Sequence, residues 1–355
     1  MSKKFTSMFA LVATGSLLLA ACGNDDGNAG NTENGPANEV NEANDANEGN
    51  NGNAASGDVD VNNLQLGTGS VGGTYYPLGQ EMATTISNNI EGFDGFDLSA
   101  VSSGASVDNI VGILQGEMDL GMTVHLPAVD SLTGAGDFEG VEVDNFGFMG
   151  HIYPEVMQIV TTADSGIESI ADLEGASINI GPPGSGTQAA ARLILEAYGL
   201  EDGDYEPFEE GFGDAAGRLQ DGNLDASFGL LGLPDSSIEE LSISRDITLI
   251  PISDEGMAYI EENSGYGSLS ISADSYDFLE EDVQAMTAYA VLVGSTDTIS
   301  EDLGYAITKA LFENSGDITH PQGANLTTEN ALLGSDDLPM HPGAERYFEE
   351  AGILE

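Results

Sequence analysis

Basic residues are nearly missing from this chain: 7 Lys and Arg stand against 61 Asp and Glu in 355 residues, a formal charge of −54. Contacts to phosphate backbones need clustered Lys and Arg, so nucleic-acid binding is excluded as a function class. Cysteine occurs once, at Cys22. That rules out a disulfide within one chain, and it leaves the rest of the sequence without thiol catalysis or a cysteine metal site. His151, His320 and His341 lack one another's company at metal-ligand spacing, so no metal is expected. After the N-terminal region no segment approaches the roughly 20 apolar residues of a membrane-spanning helix.

What is present is apolar material, 40% of residues, enough for substantial cores in a folded, mostly two-domain chain. A charge so far from zero opposes compaction in dilute buffer and becomes tolerable when molar salt shortens the screening length to about 3 Å. A salt-loving source is the expectation. At the N-terminus, Lys3 and Lys4 precede an apolar stretch from Met8 to Ala21, the length of a signal-peptide core. It ends in Leu19-Ala20-Ala21-Cys22, which resembles the bacterial lipobox, so residues 1–21 read as a signal peptide and Cys22 as the lipidated first residue of the mature chain. Residues 22–60, rich in Asn, Asp, Glu and Gly, have almost nothing large and apolar to bury. They are expected to form a disordered tether that holds a soluble domain near the membrane.

Beyond the tether, short apolar runs alternate with amphipathic stretches, the pattern of an α/β protein. Val61 to Leu66 reads as a first strand, and a helix follows from about Pro77 to Asn89. Val107, Ile110, Val111 and Leu114 mark one face of another helix. Leu114 to Met122 and Leu219 to Phe228 share a plan of helix end, tight turn and buried strand, which two lobes of similar design would produce. The apolar runs Val156 to Val160 and Ala288 to Val293 read as strands passing between the lobes. Two crossings give a hinge and a cleft, where ligands settle in such folds.

Two Gly-rich segments each follow a strand and open a helix. In the first, Gly67 to Pro77, Gly67, Gly69 and Gly72 fit a dinucleotide fingerprint, but Tyr75-Tyr76-Pro77 stand where its helix should already run. The second, Gly181 to Gln188, carries Thr187 where a phosphate loop needs Lys. Both segments offer amides, hydroxyls and a helix N-terminus, which suit a small anion such as a carboxylate without a full positive charge. Tight strand-to-helix turns with no ligand remain the alternative reading of either segment. A Ser hydrolase is disfavoured, because neither Ser70 nor Ser185 sits in a G-x-S-x-G elbow, although paired carboxylates cannot be picked out among 61 acids.

Several segments together carry a resemblance: GTGSVGGTYYPLG from Gly67, SSGASVDNI from Ser102, IYPEV from Ile152, ADSGIESIADLEG from Ala163, GPPGSGTQ from Gly181, ALFEN from Ala310 and HPGAERYFEEAGIL from His341. In this order they resemble the TAXI family of solute receptors, the extracytoplasmic binding proteins of TRAP transporters. The resemblance implies a two-lobed type II periplasmic-binding-protein fold and a monomer that needs no cofactor and has no enzyme activity. It implies capture of a small anionic or zwitterionic solute, such as a glutamate-like amino acid or an organic acid, for TRAP membrane subunits. Lobe I is expected from 61–154 with 289–355, and lobe II from 155–288.

Carried over by motif, the first Gly-rich loop supplies Thr68, Ser70, Gly72, Thr74 and Tyr75 as ligand contacts. Ser102, Ser103 and Gly104 add donors from the same lobe, and Tyr153 lies at the first crossing. Ser185, Gly186, Thr187 and Gln188 close from lobe II, with Gly232 in the wall segment Leu231 to Pro234. Where the family has a polar Gln-Ser-Asp, this chain has Val124-His125-Leu126, which leaves His125 either a ligand contact or a rim histidine.

Overall fold

The computed structural model describes residues 61–354. The signal-peptide, lipidation and tether readings, Cys22 included, fall on residues 1–60 and lie outside the described residues.

The described chain begins with the strand β1 (Leu64–Gly67), the helix α1 (Tyr75–Asn89), β2 (Leu98–Val101), α2 (Ser106–Gln115), β3 (Leu120–Val124) and α3 (His125–Thr133). The long strand β4 (Phe146–Thr162) leads to β5 (Ser177–Asn179), α4 (Gly186–Ala197), β6 (Glu206–Phe208), α5 (Phe212–Asp221) and β7 (Ala226–Leu231). Then come α6 (Ser236–Ser244), β8 (Ile247–Leu249), α7 (Asp254–Asn263) and β9 (Gly267–Ile271). The strand β10 (Val283–Ser295) returns the chain to α8 (Glu301–Glu313) and α9 (Pro342–Glu350).

The sheet runs β2-β1-β3-β10-β4-β7-β5-β6, with β8 on β4 and β9 on β10. β1, β2 and β3 pair in parallel, as do β5, β6 and β7. The long antiparallel strands β4 and β10 join the two sets. In each set the first strand lies between the second and the third, so the two halves repeat one plan. Parallel strands flanked by helices need burial on both faces, which explains the all-buried runs Leu120–Val124 and Ala226–Leu231.

The repeated helix-turn-strand plan is also present in detail. α2 ends on Gly116 at φ 72 ψ 23, and α5 ends on Gly222 at φ 72 ψ 28. A left-handed C-cap of this kind accepts glycine at little steric cost, so the same turn recurs at both places. The helix expected from Pro77 begins two residues earlier, at Tyr75, so the missing Pro77 amide falls within the first turn, where no helical bond is lost.

Burial separates the apolar side chains into three clusters. One gathers Leu66, Leu78, Met122, Phe148, Val293 and Phe348. A second holds Met157, Ile178, Ile194, Phe228 and Met286, and a third holds Val160, Phe212, Leu241 and Ile271 on the other face of the β4 and β7 region. β4 and β10 contribute to all three clusters, so any hinge motion must be absorbed along these two strands. No described helix is long and apolar enough to cross a membrane.

Candidate functional site

The first turns of four helices meet at one cavity. Thr74 and Tyr75 bring the start of α1, and Ala105 and Ser106 the start of α2. Ser185, Gly186 and Thr187 bring α4 from the opposite half, and Phe212 opens α5 there. The first four amides of a helix have no partner within it and sit at the positive end of its dipole. The cavity therefore concentrates positive potential from the main chain, and no Lys or Arg lines it. Its volume is about 60 Å³, room for about four to six water-sized groups.

Local chemistry fixes these corners. Ser185 accepts from the Gln188 amide at 3.1 Å and donates to the Pro182 carbonyl at 2.7 Å, capping α4 and folding the Pro-Pro-Gly turn back on itself. Ser103 donates to Asn109 Oδ1 at 2.6 Å, while Asn109 Nδ2 donates to the Thr68 and Met122 carbonyls at 2.8 and 2.7 Å. That buried network ties β1, β3 and α2 together behind the cavity. Ala105, at φ 73, is a non-glycine residue in a sparsely populated region right at the cavity wall. Such strain costs on the order of 1–3 kcal/mol and is held by surrounding contacts; here Ser103 Oγ accepts the Ala105 amide at 3.0 Å.

The halves also bond to each other directly. Thr74 Oγ1 donates to Asp235 Oδ2 at 3.0 Å and accepts from the Gly232 amide at 2.8 Å. Ser237 Oγ donates to the Gly72 carbonyl at 2.8 Å, and the Val107 amide donates to the Gly184 carbonyl at 2.9 Å. Asp235 caps α6 through the Ser237 amide at 2.9 Å. Burial raises its carboxyl pKa to about 6, against the lowering effect of Thr74 and two backbone amides.

Of the residues expected at the site, Ser70, Thr74, Tyr75, Gly104, Tyr153, Ser185, Gly186 and Thr187 border the cavity. The others do not. Thr68 is buried behind the loop, where its Oγ1 donates to the Val101 carbonyl at 2.7 Å. Gly72, Ser102 and Ser103 face an outer recess between the halves. Gln188 points to Glu209 at 2.8 Å, and Gly232 reaches the site only through Thr74. His125 lies at the start of α3, where its Nδ1 accepts the Tyr289 amide at 3.2 Å and its ring packs on Tyr289. Desolvation lowers its pKa to about 4, and the Nδ1 contact links α3 to β10. Among the described residues no group of three or more His, Cys, Asp or Glu is placed to hold a metal.

The sequence reading missed Glu155. It is the one acid in the 17-residue strand β4, 2% exposed, and it lines the cavity with Oε1 free of any hydrogen bond. Tyr75 and Tyr153 pack edge to face at 6.1 Å, and their buried hydroxyls make no hydrogen bond of ordinary length, although Tyr75 lies close enough to Glu155, and Tyr153 to Thr74, to act on their titration. Burial pushes the Glu155 carboxyl up to about 8 and both phenols well above their ordinary value. A single acid inside a long apolar strand was the available signal. Val124, Phe228, Leu230 and Leu231 complete an apolar wall.

A model of the NMT1-like family matches residues 66–352. Among solved structures, the chain is similar to the alkanesulfonate-binding protein SsuA from Xanthomonas axonopodis pv. citri bound to MOPS, at 15% identity over 81% of this chain and 83% of that one, TM-score 0.46. It is also similar to an ABC uptake transporter substrate binding protein from Streptococcus pneumoniae with bound histidine, at 13% identity over 74% and 91%, TM-score 0.46. A third is the arginine-, lysine-, histidine-binding protein ArtJ from Geobacillus stearothermophilus, at 10% identity over 74% and 94%, TM-score 0.44.

Proposed function

The chain belongs to the NMT1-like family, and from that premise we propose that it is an extracytoplasmic substrate-binding protein that captures a small carboxylated solute. One observation carries the reading: four helix N-termini, two from each half, converge on a cavity that holds no basic side chain. Such a site pays for a carboxylate's lost hydration with amide hydrogen bonds and helix dipoles. Ser70, Thr74, Tyr75, Gly104, Tyr153, Ser185, Gly186 and Thr187 contact the solute, and lobe closure over it takes the place of chemical turnover.

In the finer reading the receptor is of TAXI type and delivers to a TRAP membrane complex. Residues 1–21 are then a signal peptide, Cys22 the lipid anchor and 22–60 the tether. Residues 61–154 with 289–355 form one lobe and 155–288 the other. The acidic composition suits work in concentrated salt.

The test is a thermal-shift screen of dicarboxylates, keto acids and amino acids in molar salt, with small-angle scattering on every hit. Stabilisation together with a fall in radius of gyration is expected. Hydrolysis of an ester, glycoside or amide panel without such closure would favour the alternative, a hydrolase on the same scaffold.

A further inference from the structure

Glu155 sets a problem that the carboxylate reading leaves unanswered. The cavity is built for negative charge, yet one of its walls carries a buried carboxyl with no cation beside it. An unpaired polar atom in such a place costs stability, and more if it is charged. Three such atoms, Glu155 Oε1 and the Tyr75 and Tyr153 hydroxyls, belong to residues lining the same cavity, and Tyr75 lies close enough to Glu155 to favour its ionised form. They come from α1 and β4, and rings belonging to the same wall surround them, Tyr75 and Tyr153 edge to face, with Phe212 and Phe228 lining the cavity as well.

Building on the carboxylated-solute reading, we propose that Glu155, with Tyr75 and Tyr153, forms a subsite for a protonated amine on the solute, so that the receptor takes amino acids in preference to acids of the same skeleton and releases a proton as it binds them. The two poles of the cavity then match the two poles of a zwitterion. Helix N-termini meet the carboxylate, while the Glu155 carboxylate and the aromatic faces meet the ammonium. A carboxylate of this kind accepts N–H donors from an ammonium, whereas a plain organic acid brings it nothing but a second negative charge.

The proton balance follows from the surroundings. The groups facing Glu155 are Tyr75 from α1, Tyr153 from its own strand and Tyr266 before β9, with Asp235 acting on Tyr153 from the start of α6. None is cationic, so burial alone keeps the carboxyl protonated near neutral pH, with a pKa of about 8. When the ammonium arrives with its positive charge, the carboxyl ionises to pair with it and its proton leaves to solvent. No bond to carbon forms or breaks.

The experiment is calorimetry on the full-length chain in molar salt at pH 7, in two buffers of different ionisation enthalpy, with matched pairs: alanine and propionate, aspartate and succinate, glutamate and glutarate, leucine and 4-methylpentanoate. In each pair that binds, the amino acid should bind at least tenfold more tightly and release close to one proton. Glu155→Gln should bring the ratio within a pair near unity and abolish the release. Tyr153→Phe should narrow the ratio while leaving the release in place. Equal affinity for both members of every binding pair, or proton release that survives in Glu155→Gln, overturns the subsite and leaves the carboxylate reading standing. Failure of every member to bind overturns that reading and the subsite with it.

Discussion

Tyr153 shows how one residue can belong to the core and also line a cavity. Its side chain is fully buried, so truncation to Ala would remove a ring from the first apolar cluster at a cost of about 3–5 kcal/mol and confuse folding with binding. The informative change is Tyr153→Phe, which keeps the ring and deletes a hydroxyl that makes no hydrogen bond of ordinary length. Its melting temperature should equal or slightly exceed that of the parent, while solute affinity falls by about three- to tenfold in calorimetry. Unchanged affinity would remove the hydroxyl from the site. Two carboxyls in the same region make stability depend on pH. Glu155 rises from 4.5 to about 8 and Asp235 from 3.8 to about 6, both through burial. A raised carboxyl pKa means the folded chain holds its proton longer than the unfolded one. The associated stability is complete below the unfolded value and is lost as pH climbs through the folded value. The unliganded protein should therefore lose thermal stability between about pH 4 and 6 through Asp235, and onward to about pH 8 through Glu155. The second loss is on the order of 5 kcal/mol. Glu155→Gln should flatten the upper limb in a melting series, and a flat parental profile between pH 6 and 8 would contradict the burial argument. Sequence reasoning reached Tyr153 through its motif but not Glu155, because an acid's environment cannot be read from its identity when 61 acids are present.

Among the elements, the strand-to-helix corners were the most legible. A Gly-rich run after a strand and before an amphipathic stretch specifies such a corner by local rules, and both corners form and border one cavity. Which side chains turn inward was not legible, because a one-residue difference along a loop exchanges inward for outward. Thus Thr68 and Gln188 bond to the scaffold, while their neighbours Gly69 and Thr187 reach the cavity. The loop around Gly72 is the sharpest case. This residue sits at φ 91, and a Cβ there would lie 2.8 Å from Gly213 Cα at the start of α5 in the other half. The glycine thus serves both the turn and the close approach of the halves. Gly72→Ala should keep native circular dichroism while lowering solute affinity by roughly tenfold and enlarging the unliganded radius of gyration in scattering. A variant with parental affinity and radius would show that the closed contact has no influence on capture. His125, which the motif departure left as a ligand contact or a rim histidine, does not border the cavity, and its Nδ1 accepts the Tyr289 amide.

For the whole molecule, charge dominates. The formal charge is −54, and the described ion pairs are few and involve only Arg192, Arg218, Arg245 and Arg346, all on partly exposed side chains. Exposed pairs contribute about 0–1 kcal/mol each and cannot offset repulsion on this scale. Screening must do so, and the melting temperature should rise steadily from 0.1 to 2 M KCl, with most of the rise below about 1 M, where the screening length shortens to about 3 Å. Equal stability in dilute buffer and molar salt would remove the case for a saline habitat. The charge itself was readable from composition at once. The two-set sheet was readable only as a faint echo, because strand order depends on pairings between residues far apart in the chain, such as Val291 with His151.

The four helix starts around the cavity bear on how a binding site of this kind can change over generations. Peptide N–H groups are supplied by every residue except proline, so the part of the recognition they carry is indifferent to which side chains the surface acquires. A lineage drifting toward ever more aspartate and glutamate would soon spoil a pocket that depended on an arginine to attract its cargo. One that attracts its cargo with main chain can let its exterior become almost wholly acidic and still keep its grip.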